Sequence, residues 1–187
     1  RTPNFSTLQE ILPVNVQKRD KKARSGNMKP RILITVPRYV ARAGDYYEFP
    51  IGLACIAAAL RSAGHEVECL NLNHRNAPVE KVLAEAIKRW DIDAVCTGGM
   101  SNHYRQVKEV FDAARAARRE IATIGGGALI TADPVLFTRG LGIDVGVSGE
   151  GERTIVEVAD ALAGGRGLRD VGGIAYRTGG GEYEATE

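Results

Sequence analysis

Strand-like and helix-like segments alternate from residue 31 to residue 163, and this alternation constrains the fold more than any other feature. Short apolar runs are each followed by a segment whose apolar residues recur with helical spacing. The predicted strands are Arg31–Val36, Glu66–Leu72, Asp93–Thr97, Ile121–Ile124 and Asp144–Val147. The predicted helices are Pro50–Ala63, Pro78–Trp90, Tyr104–Arg118, Ala132–Thr138 and Thr154–Ala163.

Strand–helix–strand units of this length predict a parallel sheet with right-handed crossovers. Five strands with helices on both faces indicate a doubly wound, flavodoxin-like α/β fold with strand order 2-1-3-4-5. Residues 173–177 and 182–186 alternate around Thr178 and three glycines, which predicts a C-terminal β-hairpin. The expected organisation is therefore a segment 1–27, an α/β domain 28–168 and a hairpin segment 169–187.

Charge is unevenly distributed between the first 27 residues and the remainder of the chain. Residues 1–27 hold six Lys/Arg and two acidic residues, a formal charge of +4, which leaves −2 for residues 28–187. The first segment is interpreted as a leader, a linker or a cloning remnant, with Met28 as a candidate native start. A mildly acidic domain argues against a nucleic-acid surface.

Neither a bilayer-spanning apolar run of ~18 residues nor a secretory signal pattern occurs in the sequence, which predicts a cytoplasmic protein without a membrane partner. The three cysteines, Cys55, Cys69 and Cys96, have no metal-site spacing. Each lies between apolar residues inside a predicted element. We expect all three to be small buried hydrophobic residues in a reducing compartment.

Polar or glycine-rich turns follow four of the predicted strands. Ligands of an open α/β sheet bind outside the carboxyl ends of its strands, and glycine lets the backbone approach a ligand closely. Single glycines are explained by tight turns, whereas paired and tripled glycines at successive turns favour a large ligand. The candidate binding residues are Tyr47, Thr97, Gly98, Gly99, Met100, Ser101, Asn102, Gly125, Gly126, Gly127, Ser148, Gly149, Glu150, Gly151 and Glu152.

Several familiar ligand classes lack their motifs in this chain. No GxGxxG follows the first strand, and no GxxxxGK[ST] occurs anywhere. The first and third strand ends carry no carboxylates for response-regulator chemistry. The hydroxyl- and glycine-rich phosphate loop of flavin mononucleotide sites is also missing. The residues alone therefore leave the identity of the ligand open.

The remaining charged and aromatic residues are expected to serve local structure. His65 is predicted at the edge opposite the ligand, as a capping or surface residue, and His74 and His103 as local contacts. A solvated helix end is predicted for Arg115, Arg118 and Arg119. Tyr46 and Phe49, beside Tyr47, fit either a flat ligand face or packing within the loop.

The order and spacing of several segments resemble the cobalamin-binding domain at the N-terminus of many radical S-adenosylmethionine (SAM) enzymes. The resemblance covers about residues 30–187. It is carried by residues 50–61 (PIGLACIAAALR) with 64–67 (GHEV), 125–128 (GGGA), 144–152 (DVGVSGEGE) with Thr154, and 172–177 (GGIAYR).

The resemblance implies that the glycine turns hold cobalamin, with no catalytic residue in this chain. Related mutase-type domains carry DxHxxG after the first strand, and its absence here implies base-off cobalamin without a histidine ligand from that loop. The CxxxCxxC motif that holds a 4Fe-4S cluster is also absent. The cluster and SAM are therefore expected in a separate radical SAM domain, without which this chain does not cleave SAM.

Three functional hypotheses follow. The first is a cobalamin-binding module supporting methyl transfer or another radical reaction of the full-length protein. The second is a non-catalytic scaffold of the same fold that has lost cobalamin and docks a substrate or a partner. The third, a glycosyltransferase-like or nucleotide-binding domain, is disfavoured because no acidic metal motif lies at a strand end.

Overall fold

A seven-stranded sheet with the order β2-β1-β3-β4-β5-β6-β7 forms the centre of the molecule. The computed structural model describes residues 29–164 and 167–187; the predictions for residues 1–27 lie outside that part. The strands are β1 (Arg31–Val36), β2 (Glu66–Asn71), β3 (Ala94–Gly98), β4 (Ala122–Gly126), β5 (Val145–Val147), β6 (Ile174–Arg177) and β7 (Tyr183–Ala185). Strands β1 to β5 pair in parallel, which confirms the predicted fold class and order.

Helices cover both faces of the sheet. They are α1 (Ile51–Ser62), α2 (Val79–Trp90), α3 (Tyr104–Ala117), α4 (Ala128–Ala132), α5 (Pro134–Leu141) and α6 (Gly151–Leu162). Alternate β1 residues point to opposite faces: Ile32 and Ile34 pack with α1 and α6, and Leu33 packs with α2 and α3. Both faces are therefore apolar, as expected for a buried parallel sheet.

The predicted C-terminal hairpin is present and extends the same sheet. Strand β6 pairs antiparallel with β5, and β7 pairs antiparallel with β6. Val171 and Ile174 are buried in the same core cluster as β1 and α1. The hairpin thus packs onto the α/β sheet through both backbone pairing and apolar contacts.

The region between β4 and β5 differs from the prediction of one helix over 132–138. Two helices occur there, and Asp133 separates them with an extended backbone conformation. Its side chain accepts a hydrogen bond from the Leu136 N–H at 3.0 Å, which caps the start of α5. The five-residue α4 is too short to show an apolar period in the sequence.

The cysteine prediction is wrong for two residues of the three. Only Cys96, in the central strand β3, is buried, and burial raises its pKa to about 12. Cys55 lies on the outer face of α1, a helix with apolar residues on nearly all sides. Cys69 is exposed on β2, which pairs with β1 and is an edge strand of the sheet that the described residues form. Apolar neighbours in sequence therefore do not report burial in these two elements.

The prediction of a solvated arginine cluster at the end of α3 is also wrong for two residues. Arg115 donates to the Thr123 hydroxyl at 2.9 Å and to the Asp144 carboxylate at 3.0 Å. Arg118 donates to the carbonyl of Ile92 at 2.5 Å. These partly buried contacts tie α3 to the amino ends of β3, β4 and β5.

No helix in the described residues is long and apolar enough to cross a bilayer.

His65 lies at the amino edge of the sheet, as predicted, but is a buried residue and not a surface one. Its side chain is 0% exposed, with Nε2 3.3 Å from the Asp160 carboxylate. Its backbone N–H donates to the Leu60 carbonyl at 3.0 Å and caps the end of α1. Burial lowers the pKa of His65, the nearby Lys29 ammonium lowers it further, and Asp160 opposes both effects.

We expect stability to fall in mild acid because of His65. Since its folded pKa lies below the unfolded value of 6.5, the unfolded chain takes up a proton first as the pH drops. The free energy of unfolding therefore keeps the whole contribution of His65 above pH 6.5. It declines below that pH, with a limiting slope of about 1.4 kcal/mol per pH unit. Urea titrations from pH 7.5 to 5 measure this decline.

A His65→Gln variant should flatten the decline, whereas His103→Gln, the same change at the opposite edge, should retain it. An identical decline in wild type and His65→Gln would contradict the assignment to His65.

Candidate functional site

The turns that follow β3, β4 and β5 meet at the carboxyl edge of the sheet, beside the long loop after β1. Parallel register brings them together, since Thr97 and Gly98 of β3 lie opposite Gly125 and Gly126 of β4. Gly125 in turn pairs with Gly146 of β5. Three of the four predicted segments are thus juxtaposed by the sheet itself.

The first two glycine turns are packed backbone against backbone. A Cβ atom on Gly98 would lie 2.5 Å from the carbonyl oxygen of Gly126. A Cβ on Gly127 would lie 2.9 Å from the carbonyl oxygen of Gly99, and Gly127 has a φ of +83°. The Gly99 carbonyl accepts a hydrogen bond from Leu129 N–H at 3.0 Å. Close approach and backbone conformation therefore both require glycine here.

The adjacent residues Gly125 and Gly126 differ in their surroundings. Gly125 is buried, and a Cβ there would lie 2.5 Å from Cδ1 of Ile143 in the core. A Cβ on Gly126 would meet only the Val147 carbonyl oxygen, at 3.8 Å. The space beside Gly126 is therefore open at the carboxyl edge, and this glycine is not required by contacts within the protein.

The β3 turn places most of its predicted side chains at the surface. Met100, Ser101 and Asn102 are exposed, and the last two begin a single 3-10 turn, Ser101–His103. Thr97 differs, because its buried hydroxyl donates to the Thr35 carbonyl at 2.7 Å. The Thr97 side chain therefore links β3 to β1 and does not reach the surface.

The turn after β5 leads directly into α6, three residues earlier than predicted. Gly149 has a φ of +70°, Glu150 is the residue before the helix, and Glu152 lies in its first turn. Glu150 is exposed and makes no side-chain cap. A Cβ on Gly151 would lie 3.1 Å from Ile56, so this glycine permits close packing of α6 on α1.

Ser148 connects the same turn to the hairpin. Its N–H donates to the carbonyl of Gly173 at 3.0 Å, just before β6 begins. The hairpin therefore fixes the start of the Ser148–Glu152 turn, a connection that the strand–helix pattern alone does not indicate.

The loop after β1 is held by polar residues at and beyond the end of β2, of which Asn71 and Asn73 were not candidates in the sequence. The Tyr47 hydroxyl accepts a hydrogen bond from the Asn71 amide and lies 3.2 Å from Nε2 of His74. Asn73 is 1% exposed, donates to the Pro37 carbonyl at 2.8 Å and accepts from the Tyr39 N–H at 2.6 Å. Polar residues at positions 71, 73 and 74, at the end of an edge strand, were the sequence signal that could have indicated this role.

Aromatic side chains connect this loop to the β3 turn. The Tyr39 ring lies 4.5 Å from the His103 ring and 6.4 Å from the Tyr47 ring. The Tyr39 hydroxyl is buried and makes no hydrogen bond to the described residues. Burial, aided by Tyr47, raises the pKa of Tyr39 to about 12, so the phenol is neutral at physiological pH. By contrast, Tyr46 and Phe49 point into solvent.

No group of three or more His, Cys, Asp or Glu side chains within residues 29–164 and 167–187 is arranged to hold a metal ion. The Met100 N–H donates to Nδ1 of His103 at 3.4 Å, which anchors that imidazole locally. The edge therefore offers backbone, hydroxyl, amide and aromatic surfaces, a set suited to a large organic ligand.

Two curated relatives match part of this chain. An uncharacterized methyltransferase from Pyrococcus horikoshii is 30% identical over 132 residues, covering 70% of this chain and 28% of the relative. The hopanoid C-3 methylase of Methylococcus capsulatus is 28% identical over 135 residues, covering 70% of this chain and 25% of that protein. The chain thus spans about a quarter of the length of each relative.

Solved structures share the fold. The radical S-adenosylmethionine methyltransferase TsrM from Kitasatospora setae, with cobalamin and a [4Fe-4S] cluster bound, superposes with a TM-score of 0.70 at 24% identity. The match covers 82% of this chain and 28% of that one. The family model described as the B12 binding domain matches residues 37–159, which include the glycine turns after β3, β4 and β5. The chain therefore belongs to the B12-binding domain family.

Proposed function

We propose that this chain is the cobalamin-binding domain of a radical SAM enzyme and supports methyl transfer or another radical reaction of the full-length protein. The observation that carries the proposal is the open space beside Gly126, between the glycine turns of a B12-binding fold. Methyltransferase relatives, and a fold shared with a radical SAM methyltransferase, support the reaction class.

The residues at the carboxyl edge fit a corrin. Gly126 leaves room for a ring that a side chain would exclude, and the turns at Gly98, Gly99, Gly127 and Gly149 present backbone close to that space. Exposed Ser101 and Asn102 offer a hydroxyl and an amide to the ring's amide groups. Bound cobalamin would supply a cobalt able to carry a methyl group, while this chain's residues hold and orient the ring.

The candidate binding residues also include Tyr47, Thr97, Met100, Gly125, Ser148, Glu150, Gly151 and Glu152. We propose direct contact for exposed Met100 and Glu150. Thr97 acts through its hydrogen bond to β1, and Gly125 and Gly151 act through packing, because their contacts lie within the protein. Tyr47 holds the β1 loop, while Ser148 and Glu152 lie in the turn that enters α6.

Cobalamin should bind base-off with no protein imidazole on cobalt. The sequence has three histidines, none of them in the Pro37–Phe49 loop. His65 lies at the far edge, His74 contacts Tyr47, and His103 is anchored to Met100.

Electron paramagnetic resonance of the cobalt(II) form should therefore show cobalt lines without nitrogen superhyperfine splitting. Splitting would contradict this prediction. A His103→Gln variant would then show whether the nitrogen came from the protein or from the cofactor's own base.

The 4Fe-4S cluster and SAM would be held by a radical SAM domain of the same full-length protein. This chain has no CxxxCxxC, and the curated relatives are about four times the length that it matches. Sequencing the gene beyond the codon for Glu187 tests for the cluster motif.

We further propose that the protein works in the cytoplasm.

The alternative is a scaffold that has lost cobalamin and docks a substrate or a partner. The decisive experiment incubates the purified chain with hydroxocobalamin, removes free cofactor by desalting and records the visible spectrum. Retained corrin absorbance at one equivalent supports the cofactor domain. Absorbance no greater than that of an unrelated protein would favour the scaffold.

A further inference from the structure

Thr131 connects two of the glycine turns through a single hydroxyl group. It lies on α4, and its Oγ1 donates to the Gly127 carbonyl at 3.1 Å. The same oxygen accepts a hydrogen bond from the Gly149 N–H at 2.9 Å. A threonine hydroxyl has one donor and two acceptor lone pairs, so both bonds form together.

Both partners of Thr131 have backbone conformations that few residues adopt. Gly127 has a φ of +83° and Gly149 a φ of +70°. Gly127 ends the β4 turn, whereas Gly149 leads to Glu150 and the start of α6. No Cβ contact is available at Gly149, since nothing lies within 4 Å of that position. The hydrogen bond from the Gly149 N–H to the Thr131 hydroxyl is a contact that ties this turn to α4.

We infer that Thr131 is a positioning residue for cobalamin: its hydroxyl fixes the Gly149–Glu150 turn against the Gly127 turn before the cofactor arrives. The inference rests on the proposed function and deepens it, because it identifies what holds the Gly127 turn and the Gly149–Glu150 turn at a fixed distance from each other. Preorganised loops lose less conformational entropy on binding, which strengthens affinity without adding a contact to the ligand.

The side chain itself is exposed at the edge, so its removal should leave the core intact. Thr131→Val keeps the β-branched shape and deletes the hydroxyl, leaving the Gly149 N–H without its partner. One lost hydrogen bond of ordinary strength corresponds to about a 5- to 10-fold change in a binding constant. We expect hydroxocobalamin to bind about that much more weakly, with most of the change in the dissociation rate.

Two further variants separate positioning from general stability. Thr131→Ser retains the hydroxyl and should restore affinity to within about twofold, a rescue that generic loss of packing would not give. Thr178→Val makes the same change at the amino edge, where the Arg177 N–H donates to the Asp144 carbonyl at 2.8 Å. It should bind hydroxocobalamin like the wild type.

Hydroxocobalamin titrations of the full chain followed by absorbance measure all four proteins, with thermal unfolding as a check on folding. Weakened binding in Thr131→Val together with rescue in Thr131→Ser supports the inference. Equal affinity of wild type and Thr131→Val overturns it while leaving the proposed function intact. Absence of binding by the wild type instead overturns the proposed function itself.

Discussion

A Gly126→Leu variant should fold normally and lose cobalamin binding. The open space beside Gly126 accommodates a Cβ, whose nearest neighbour would be the Val147 carbonyl oxygen at 3.8 Å. The φ of Gly126 is not in the left-handed region, so a leucine introduces no backbone strain. The positive φ of this turn lies at the next residue, Gly127.

The leucine would occupy the volume between the glycine turns where the corrin is proposed to lie. Overlap of several heavy atoms cannot be relieved by small shifts, because the opposing surfaces are backbone. We expect affinity for hydroxocobalamin to drop at least 100-fold. Far-ultraviolet circular dichroism measures folding, and corrin absorbance after desalting measures binding.

Gly179→Leu is the matched control, because a Cβ atom there would have no neighbour within 4 Å and the residue lies in the hairpin turn, at the opposite edge. It should keep full binding. Binding retained by Gly126→Leu in a protein that binds cobalamin would mean that the ring lies elsewhere.

Much of this fold could be predicted because its signals are local and periodic. Apolar runs such as Arg31–Val36 mark strands buried on both faces, and right-handed crossovers then fix the order of five strands. The five-residue α4 carries no such period. The pairing of β6 with β5 also required the structure, because an alternating hairpin does not specify which edge it joins.

The location of the candidate site could be predicted from the sequence, but the role of each residue in it could not. Glycine runs after β3, β4 and β5 indicated the carboxyl edge, yet they could not distinguish Gly125, which faces Ile143, from Gly126, which faces open space. One residue step reverses the face of a strand, and only the packed partner shows which face is closed. The anchors Asn73 and Tyr39 act through contacts distant in sequence, so no local pattern identified them.

A Gly98→Ala variant should be markedly destabilised, in contrast to Gly126→Leu. Its added Cβ would lie 2.5 Å from the Gly126 carbonyl oxygen and 2.9 Å from the carbonyl carbon. Those atoms belong to β4, which pairs with β3 over five residues of register. Relief of the clash requires the central strands to separate, and overpacking of this kind costs about 3 kcal/mol.

Urea unfolding followed by circular dichroism should therefore show a lower midpoint for Gly98→Ala with an unchanged m-value. Gly52→Ala is the matched control, because that glycine lies in α1 with nothing within 4 Å. It should be as stable as the wild type or more stable by up to about 1 kcal/mol, since alanine favours helix. An unchanged midpoint for Gly98→Ala would mean that β3 and β4 can move apart at their carboxyl ends. In that case, the backbone at Gly98 and Gly126, beside the proposed cofactor site, would be mobile and not rigid.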